Sequence, residues 1–341
     1  MSKLSFARGD EMLHIHDGES SAHTAKQSTV PGEHFGWREA LIAGPTPCGV
    51  EGAQWRRVRA EHLSAYYGGD LADHEKVLLD QEQALATFSE HDEVVLWFEH
   101  DLFCQTNLLY LLNWFGRCDL GQTKLSLICI NEFPGIPKFR GLGQLNSNQL
   151  ASLLDTRHEV SATEQKLATA GWQAYCSADP TAIEKFLETD TSALPFLKAA
   201  FRLHLERFPW VRNGLGRIEN LGLALVYKGL HNFVDLFSKF GDAESGYGLG
   251  DLQFWLALKQ MSDAEEPLLT IKNGSDPDRQ LSSESIRQST FEITEAGTAV
   301  LQNKTDFVEM NGIDLWLGGV HLSGNMDLWR WDDHNRKMVY L

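Results

Sequence analysis

No apolar run in this chain of 341 residues approaches the ~20 residues that a bilayer-spanning helix requires. The opening MSKLSFARGDE has no apolar core of the kind a secretory signal carries. Neither membrane insertion nor export is expected, and a cytoplasmic location is. Basic charge is also scarce. Thirty Lys and Arg against 47 Asp and Glu leave a net charge of -17, which opposes non-specific nucleic-acid binding because that binding depends on cations neutralising phosphates. The five cysteines, Cys48, Cys104, Cys118, Cys129 and Cys176, are odd in number and contain no C-x-x-C pair. They fit neither a disulfide framework nor a cysteine zinc site, and a reducing compartment suits them. Neither G-x-G-x-x-G nor G-x-x-x-x-G-K-[ST] occurs, which argues against a conventional dinucleotide or P-loop site.

What is present is ordinary globular material, 43% hydrophobic and 23% charged, enough for roughly two domains of about 150 residues. Met12–Ile15 reads as a strand, followed by the tight turn His16-Asp17-Gly18-Glu19-Ser20 and a helix over Ser21–Ser28. His34–Trp37 is a second short strand. Helices follow over Gly52–Tyr67 and Ala72–Ser89. The clearest strand, Glu93–Phe98 (EVVLWF), runs into Glu99-His100-Asp101 and then the apolar helix Leu102–Phe115. Lys124–Ile130 is another strand. Strands that alternate with helices, and are continuously apolar, predict a parallel sheet covered on both faces. Residues 1–155 are thus expected to form an α/β layer, residues 156–210 a helical connector, and residues 211–341 a mostly helical domain. In that last part, helices over Arg217–Tyr227, Leu230–Phe240 and Asp251–Met261 precede strands at Leu268–Ile271 and Thr290–Ile293, a winged-helix-like arrangement. Between those strands lies a polar excursion, Asn273–Gln288, expected to be mobile. The end of the chain (Trp316–Leu322, Leu328–Trp331, Lys337–Leu341) reads as an antiparallel meander with a turn at Asp332–Asn335.

HIHDGES, HFGWREALIAGP, EVVLWFEHDLFCQTNLLYLLNWF and FRGLGQL, with the later DTSALPFLKAAFRLHLERFP and NGIDLWLGGVHL, resemble the bacterial family known as domain of unknown function DUF1835. The resemblance covers most of the chain. It implies a Rossmann-like N-terminal layer and a helical or winged C-terminal part, with no established reaction. After the first strand the family pattern is similar to Asn-Gly-Asp-Ser, where this chain has Asp17-Gly18-Glu19-Ser20, so a ligand held by that loop would meet different side chains here.

Ligands of open α/β sheets sit beyond the carboxyl ends of the strands. Three polar clusters are expected there. The first is His14, His16, Asp17, Glu19 and Ser20. The second is Glu99, His100 and Asp101, with Gln105 one helical turn on. The third is Asn131 and Glu132, with Arg140 in the following Phe-Arg-Gly-Leu-Gly segment. Gly18 and Ser20 before a helix can offer N–H groups and a hydroxyl to a small anion such as a nucleotide or phosphorylated metabolite. The two acids beside them oppose an anion unless a metal or arginine intervenes. The plain structural reading of this loop is a turn with Gly18 at positive φ and Ser20 or Ser21 capping the helix.

His100 with Glu99 suits a general base and its orienting carboxylate, while Asp101 is equally placed to cap the next helix. His16 and His100 with Asp17 or Asp101 would be a metal set by residue type, but no short-range spacing supports it. No residue is therefore assigned to a metal, and no cofactor is identified. Arg38, Arg56 or Arg140 suits bidentate binding of phosphate or carboxylate, although Arg56 and Arg59 are also expected to pair with surface acids such as Glu61 or Asp70. Trp55, Tyr66, Tyr67 and the helix Leu102–Phe115 read as packing. Between Phe201 and Met310 the chain carries 11 Lys and Arg against 16 Asp and Glu, so the helix–wing part is expected to pack or to dock onto protein rather than onto DNA. Two functions remain open. One is a hydrolase or transferase with Glu99, His100 and Asp101 as catalytic groups. The other is a non-enzymatic sensor or regulator whose C-terminal module docks onto protein or DNA.

Overall fold

A computed structural model describes residues 12–272 and 283–341. The chain divides into two compact units, residues 1–177 with 186–198, and residues 178–185 with 199–341. The connector expected at 156–210 is thus shared between them. No helix among the described residues is long and apolar enough to cross a membrane.

The first unit runs β1 (Met12–Asp17), α1 (Glu19–Lys26), β2 (Glu33–Trp37), β3 (Gly44–Pro45), α2 (Gly52–Tyr67), α3 (Leu71–Ala86), β4 (Glu93–Glu99), α4 (Leu102–Phe115), β5 (Lys124–Ile130), α5 (Ser147–Ala151), β6 (His158–Glu159) and α6 (Ala162–Tyr175). Its five-stranded sheet has the order β2-β1-β4-β5-β6. The first four strands are parallel and β6 is antiparallel to β5. The sheet is therefore mostly parallel rather than wholly so. The two-residue β6 pairs only Ser126 and Leu127 of β5, an antiparallel edge of the kind that often closes such sheets.

β4 is a central strand, and Val94 through Phe98 are fully buried, as its unbroken apolar run requires. The chain leaves β1 for β2 on one side and returns to β4 on the other, so the strand order reverses between β1 and β4. A crevice opens at such a reversal. Helix α4 covers it, nearly all its residues buried, and starts where the Asp101 carboxylate accepts the Cys104 N–H at 2.9 Å. Asp70 caps α3 in the same way, and Ser161 with Glu164 forms a capping box on α6.

The second unit contains α7 (Thr181–Leu187) and α8 (Leu197–Leu205) in part. It continues with α9 (Arg217–Tyr227), α10 (Phe233–Ala243), α11 (Asp251–Ser262), β7 (Leu269–Lys272), α12 (Ser283–Arg287), β8 (Thr290–Ile293), α13 (Glu295–Leu301), α14 (Phe307–Asn311), β9 (Ile313–Gly318), β10 (Val320–Gly324), β11 (Trp329–Asp332) and β12 (Lys337–Tyr340). Phe233, Phe240, Phe254 and Phe291 form its aromatic core, with Phe240 stacked on Phe254 at 4.4 Å. β7 and β8 are an antiparallel pair. Most of the polar excursion between them, residues 273–282, lies outside the described residues. The strand expected over Trp316–Leu322 is instead a hairpin. Gly318, at φ 64, turns the chain so that Leu317 faces Val320, which a Gly-Gly pair between two apolar runs favours.

Candidate functional site

The polar ends of β1 and β4 meet beneath the start of α4. Asp17 ends β1 and Glu99 ends β4, and these strands are paired neighbours. Asp101 caps α4 and Cys104 lies in its first turn. One carboxylate oxygen each from Asp17 and Glu99, with Cys104 Sγ, lie within 4.8 Å of one another. Glu99, Asp101 and Cys104 are buried and Asp17 is half-buried.

A dense set of hydrogen bonds fixes these groups. Cys104 Sγ donates to Glu99 Oε2 at 2.7 Å. The Leu142 N–H donates to Glu99 Oε1, which brings the loop after Arg140 onto the cluster. Gly141 permits that approach, because a Cβ there would lie 2.8 Å from Glu99 Oε1. Gln105 Nε2 donates to the Glu99 carbonyl at 2.7 Å. Asn107 Nδ2 donates to Asp17 Oδ1 and to the Glu39 carbonyl, both at 3.0 Å, and its Oδ1 accepts from the Trp37 indole at 3.3 Å.

Burial pushes the Asp17 carboxyl up to about 7, and the Asp101 charge adds to the shift. Burial, with the charges of Asp101 and Asp17, also holds Glu99 well above the usual carboxylate range. Asp101 is raised by burial against the pull of its bonds to Cys104 and Phe103. The Cys104 thiol is pushed up by burial and by all three acids. This is an acid-rich, desolvated cluster that favours protonation or a cation.

The residues singled out in the sequence fall into two groups. Asp17, Glu99, Asp101 and Gln105 belong to the cluster or its immediate support. The Gly18–Ser20 loop reaches the same rim, since a Cβ on Gly143 would lie 3.3 Å from Ser20 Oγ. Gly18 has positive φ, at 95°. However, α1 starts at Glu19 with Gly18 itself as its N-cap and no side-chain cap, so neither Ser20 nor Ser21 caps it. Ser21 Oγ instead donates to the Gly18 carbonyl at 3.5 Å.

His100 makes its contacts elsewhere. Its pKa is lowered by burial against a backbone hydrogen bond to Ile130, and its ring meets Phe196 at 6.1 Å. No hydrogen bond joins it to Glu99 among the described residues. His16 is buried and bonded to His34 at 3.1 Å, so its imidazole is held by the sheet. Arg38 is half-exposed and pairs with the exposed Glu19 at 3.3 Å. The Arg140 N–H bonds Gln144 Oε1 at 2.7 Å. Arg59 is not a surface residue. It is fully buried on Glu39 at 2.7 Å, while Arg56 pairs with Glu82 and Arg57 with Glu61.

Cys104 and Asn107 were not anticipated. Both fall inside the apolar run Leu102–Phe115, where polar residues read as packing. The signal was their spacing, since positions 101, 104 and 107 recur every three residues and share one helix face. No protein-family model matches the chain, and no curated protein matches it.

Proposed function

We propose that the α/β unit binds a small phosphate-bearing ligand, a nucleotide or a phosphorylated metabolite, at the carboxyl ends of β1 and β4. It does so through a divalent cation held by Asp17, Glu99 and Cys104, and it hydrolyses or transfers the phosphoryl group. The observation that carries this reading is the convergence of two carboxylates and a thiol within 4.8 Å. Burial raises Asp17 and Glu99, and the neighbouring charges that add to the shift are those of other acids. A cation supplies the missing counter-charge and converts an acidic strand end into a receptor for an anion. It also polarises a phosphoryl oxygen. Carboxylate oxygens suit magnesium or manganese, and the thiol shifts preference toward softer ions. A reducing, cytoplasmic setting keeps Cys104 available as that ligand. On the rim, Ser20 is exposed, and Arg38, exposed beside Glu19, is suited to swing onto a phosphate. This reading assigns Glu99 and Asp101 to the cation site and its support, and leaves His100 as a flanking group.

The test is a thermal-shift series with Mn2+, inorganic phosphate and nucleotides, alone and combined. A specific binder raises the midpoint with its concentration. Phosphate or a nucleotide should stabilise only when the cation is present. Stabilisation by phosphate without cation, or by neither, contradicts the reading.

A second reading concerns the other unit. The three helices α9, α10 and α11 followed by the β7–β8 pair support a winged-helix-like module over residues 211–341, and the α/β unit is Rossmann-like in the same sense. The motifs that resemble the DUF1835 family imply both. Tyr227 and Val234, 54% and 53% exposed, favour docking onto a protein, and this unit's acidic charge disfavours DNA. In a gel-shift assay with genomic DNA at low salt, no shift is expected.

A further inference from the structure

A cavity of about 600 Å³ lies in the α/β unit along the C-terminal half of α4, walled by Trp55, Tyr110 and Trp172. Two cysteines, Cys48 and Cys176, also line it. Cys176 caps the C-terminal end of α6 and is buried, 4% exposed. Cys48 is exposed, in the loop between β3 and α2. Its Sγ donates to the Gln173 carbonyl at 3.8 Å, about one helical turn before Cys176. The two thiols are also hydrogen-bonded to each other. They come from distant parts of the chain, so the fold itself makes the pair.

The loop that carries Cys48 is held on one side of it and open on the other. Arg59 Nη1 donates to the Ala43 carbonyl at 2.8 Å and to the Pro45 carbonyl at 3.1 Å, and Thr46 is fully buried. Beyond Cys48, Gly49 is exposed at φ 71, and a Cβ there would meet nothing within 4 Å. Cys48 therefore has room for the short movement from thiol contact to the S–S separation of about 2 Å that a disulfide requires. The two thiols are chemically unequal. Burial raises both, while the hydrogen bond between them lowers Cys48 and raises Cys176. Cys48 is thus the thiol that ionises and meets reagents from solution, and Cys176 stands behind it.

We infer that Cys48 and Cys176 form a reversible dithiol–disulfide couple, in which exposed Cys48 reacts with a low-molecular-weight disulfide and buried Cys176 resolves the product. With glutathione disulfide as the oxidant, the Cys48 thiolate attacks one of its sulfurs. The S–S bond of the reagent breaks, one glutathione thiolate leaves, and Cys48 is joined to the other glutathione. Cys176 then gives up its proton and attacks the Cys48 sulfur, which expels the second glutathione thiolate. The two protons lost by the cysteines end on the two glutathione thiols, so the protein dithiol is oxidised and the small disulfide is reduced. In a reducing compartment such a bond is transient rather than structural. The inference is independent of the cation site, which uses Cys104 and neither of these thiols.

The test incubates the reduced full-length protein with glutathione disulfide at about pH 8, where the thiolate fraction of an accessible cysteine is substantial, and blocks the remaining thiols with iodoacetamide. Peptide mapping without reductant should find Cys48 joined to Cys176, and dithiothreitol should restore both thiols. Cys176→Ser should stop at the mixed disulfide of Cys48 with glutathione, at a level at least about tenfold above that in the unaltered protein, because nothing expels the second glutathione. Cys48→Ser should leave Cys176 unreacted. If Cys176→Ser loses its cooperative melt, Cys176→Ala takes its place with the same expectation. The inference is overturned if the unaltered protein leaves Cys48 unreacted, keeps it as the glutathione adduct, or joins it to a cysteine other than Cys176.

Discussion

Asn107, in the middle of α4, donates its side-chain amide to Asp17 at the end of β1, at 3.0 Å. The same nitrogen holds the Glu39 carbonyl, and the Asn107 oxygen receives the Trp37 indole. One side chain thereby ties the helix to the ends of two neighbouring strands and sets the carboxyl that completes the acidic cluster. Asn107→Ala leaves the buried Glu39 carbonyl and Trp37 indole, and the half-buried Asp17 carboxyl, short of a partner, and each buried loss costs about 1–3 kcal/mol. Urea unfolding should show the midpoint falling with an unchanged m-value.

Arg59 is the second internal anchor. Its guanidinium reaches Glu39 and the carbonyls of Ala40, Ala43 and Pro45, with both partners of the ion pair essentially unexposed. Removing one partner of a buried pair strands the other, at a cost of roughly 3–5 kcal/mol. Arg59→Ala should therefore lower the melting temperature far more than Arg57→Ala, whose pairs with Glu61 and Glu75 are exposed. Calorimetric melts of the two variants distinguish these outcomes.

Protonation of buried His14 works against the folded sheet as the pH falls. His14 is fully buried, accepts from the Trp97 indole at 3.0 Å, and bonds the Pro31 carbonyl at 2.8 Å. Burial lowers its pKa to about 4, with His34 and Arg157 lowering it further and Glu93 and the Pro31 bond opposing. The unfolded chain, with the ordinary value of 6.5, binds a proton there first. The stability from neutral His14 is present above 6.5 and is lost as the pH falls toward 4. Between pH 7 and pH 5 this group contributes a loss on the order of 2 kcal/mol. The raised carboxyls act in the opposite sense in both proteins and cancel in the difference between them. On going from pH 7 to pH 5, the urea midpoint of His14→Gln should therefore change more favourably than that of the unaltered protein. Equal changes in the two proteins would contradict this assignment.

The site was partly legible in the chain. EVVLWF followed by Glu99-His100-Asp101 announces a buried strand that ends in polar groups and a capped helix, because an apolar run and a cap are local properties. Strand-end reasoning points to a meeting of the segments near 17, 100 and 140; the groups that meet are Asp17, Glu99 and the Leu142 N–H, while His100 turns to Phe196. Leu142 could not be found, since its contribution is a backbone N–H that every residue but proline carries. Arg59 looks like a solvated charge because its partner, Glu39, lies 20 residues away and its burial depends on how α2 packs. The cavity wall is equally silent, since Trp55, Tyr110 and Trp172 come from three separate helices and each alone reads as core.

The central claim is a cation held by Asp17, Glu99 and Cys104, and calorimetric titration of the full-length protein with Mn2+ tests it directly. One saturable site per chain is expected. Asp17→Asn and Glu99→Gln, which keep shape and remove charge, should each weaken it by at least about tenfold, since affinities at oxygen-ligand sites follow ligand charge. Absence of binding by the unaltered protein, or a variant that binds Mn2+ as tightly as the unaltered protein does, would contradict the account.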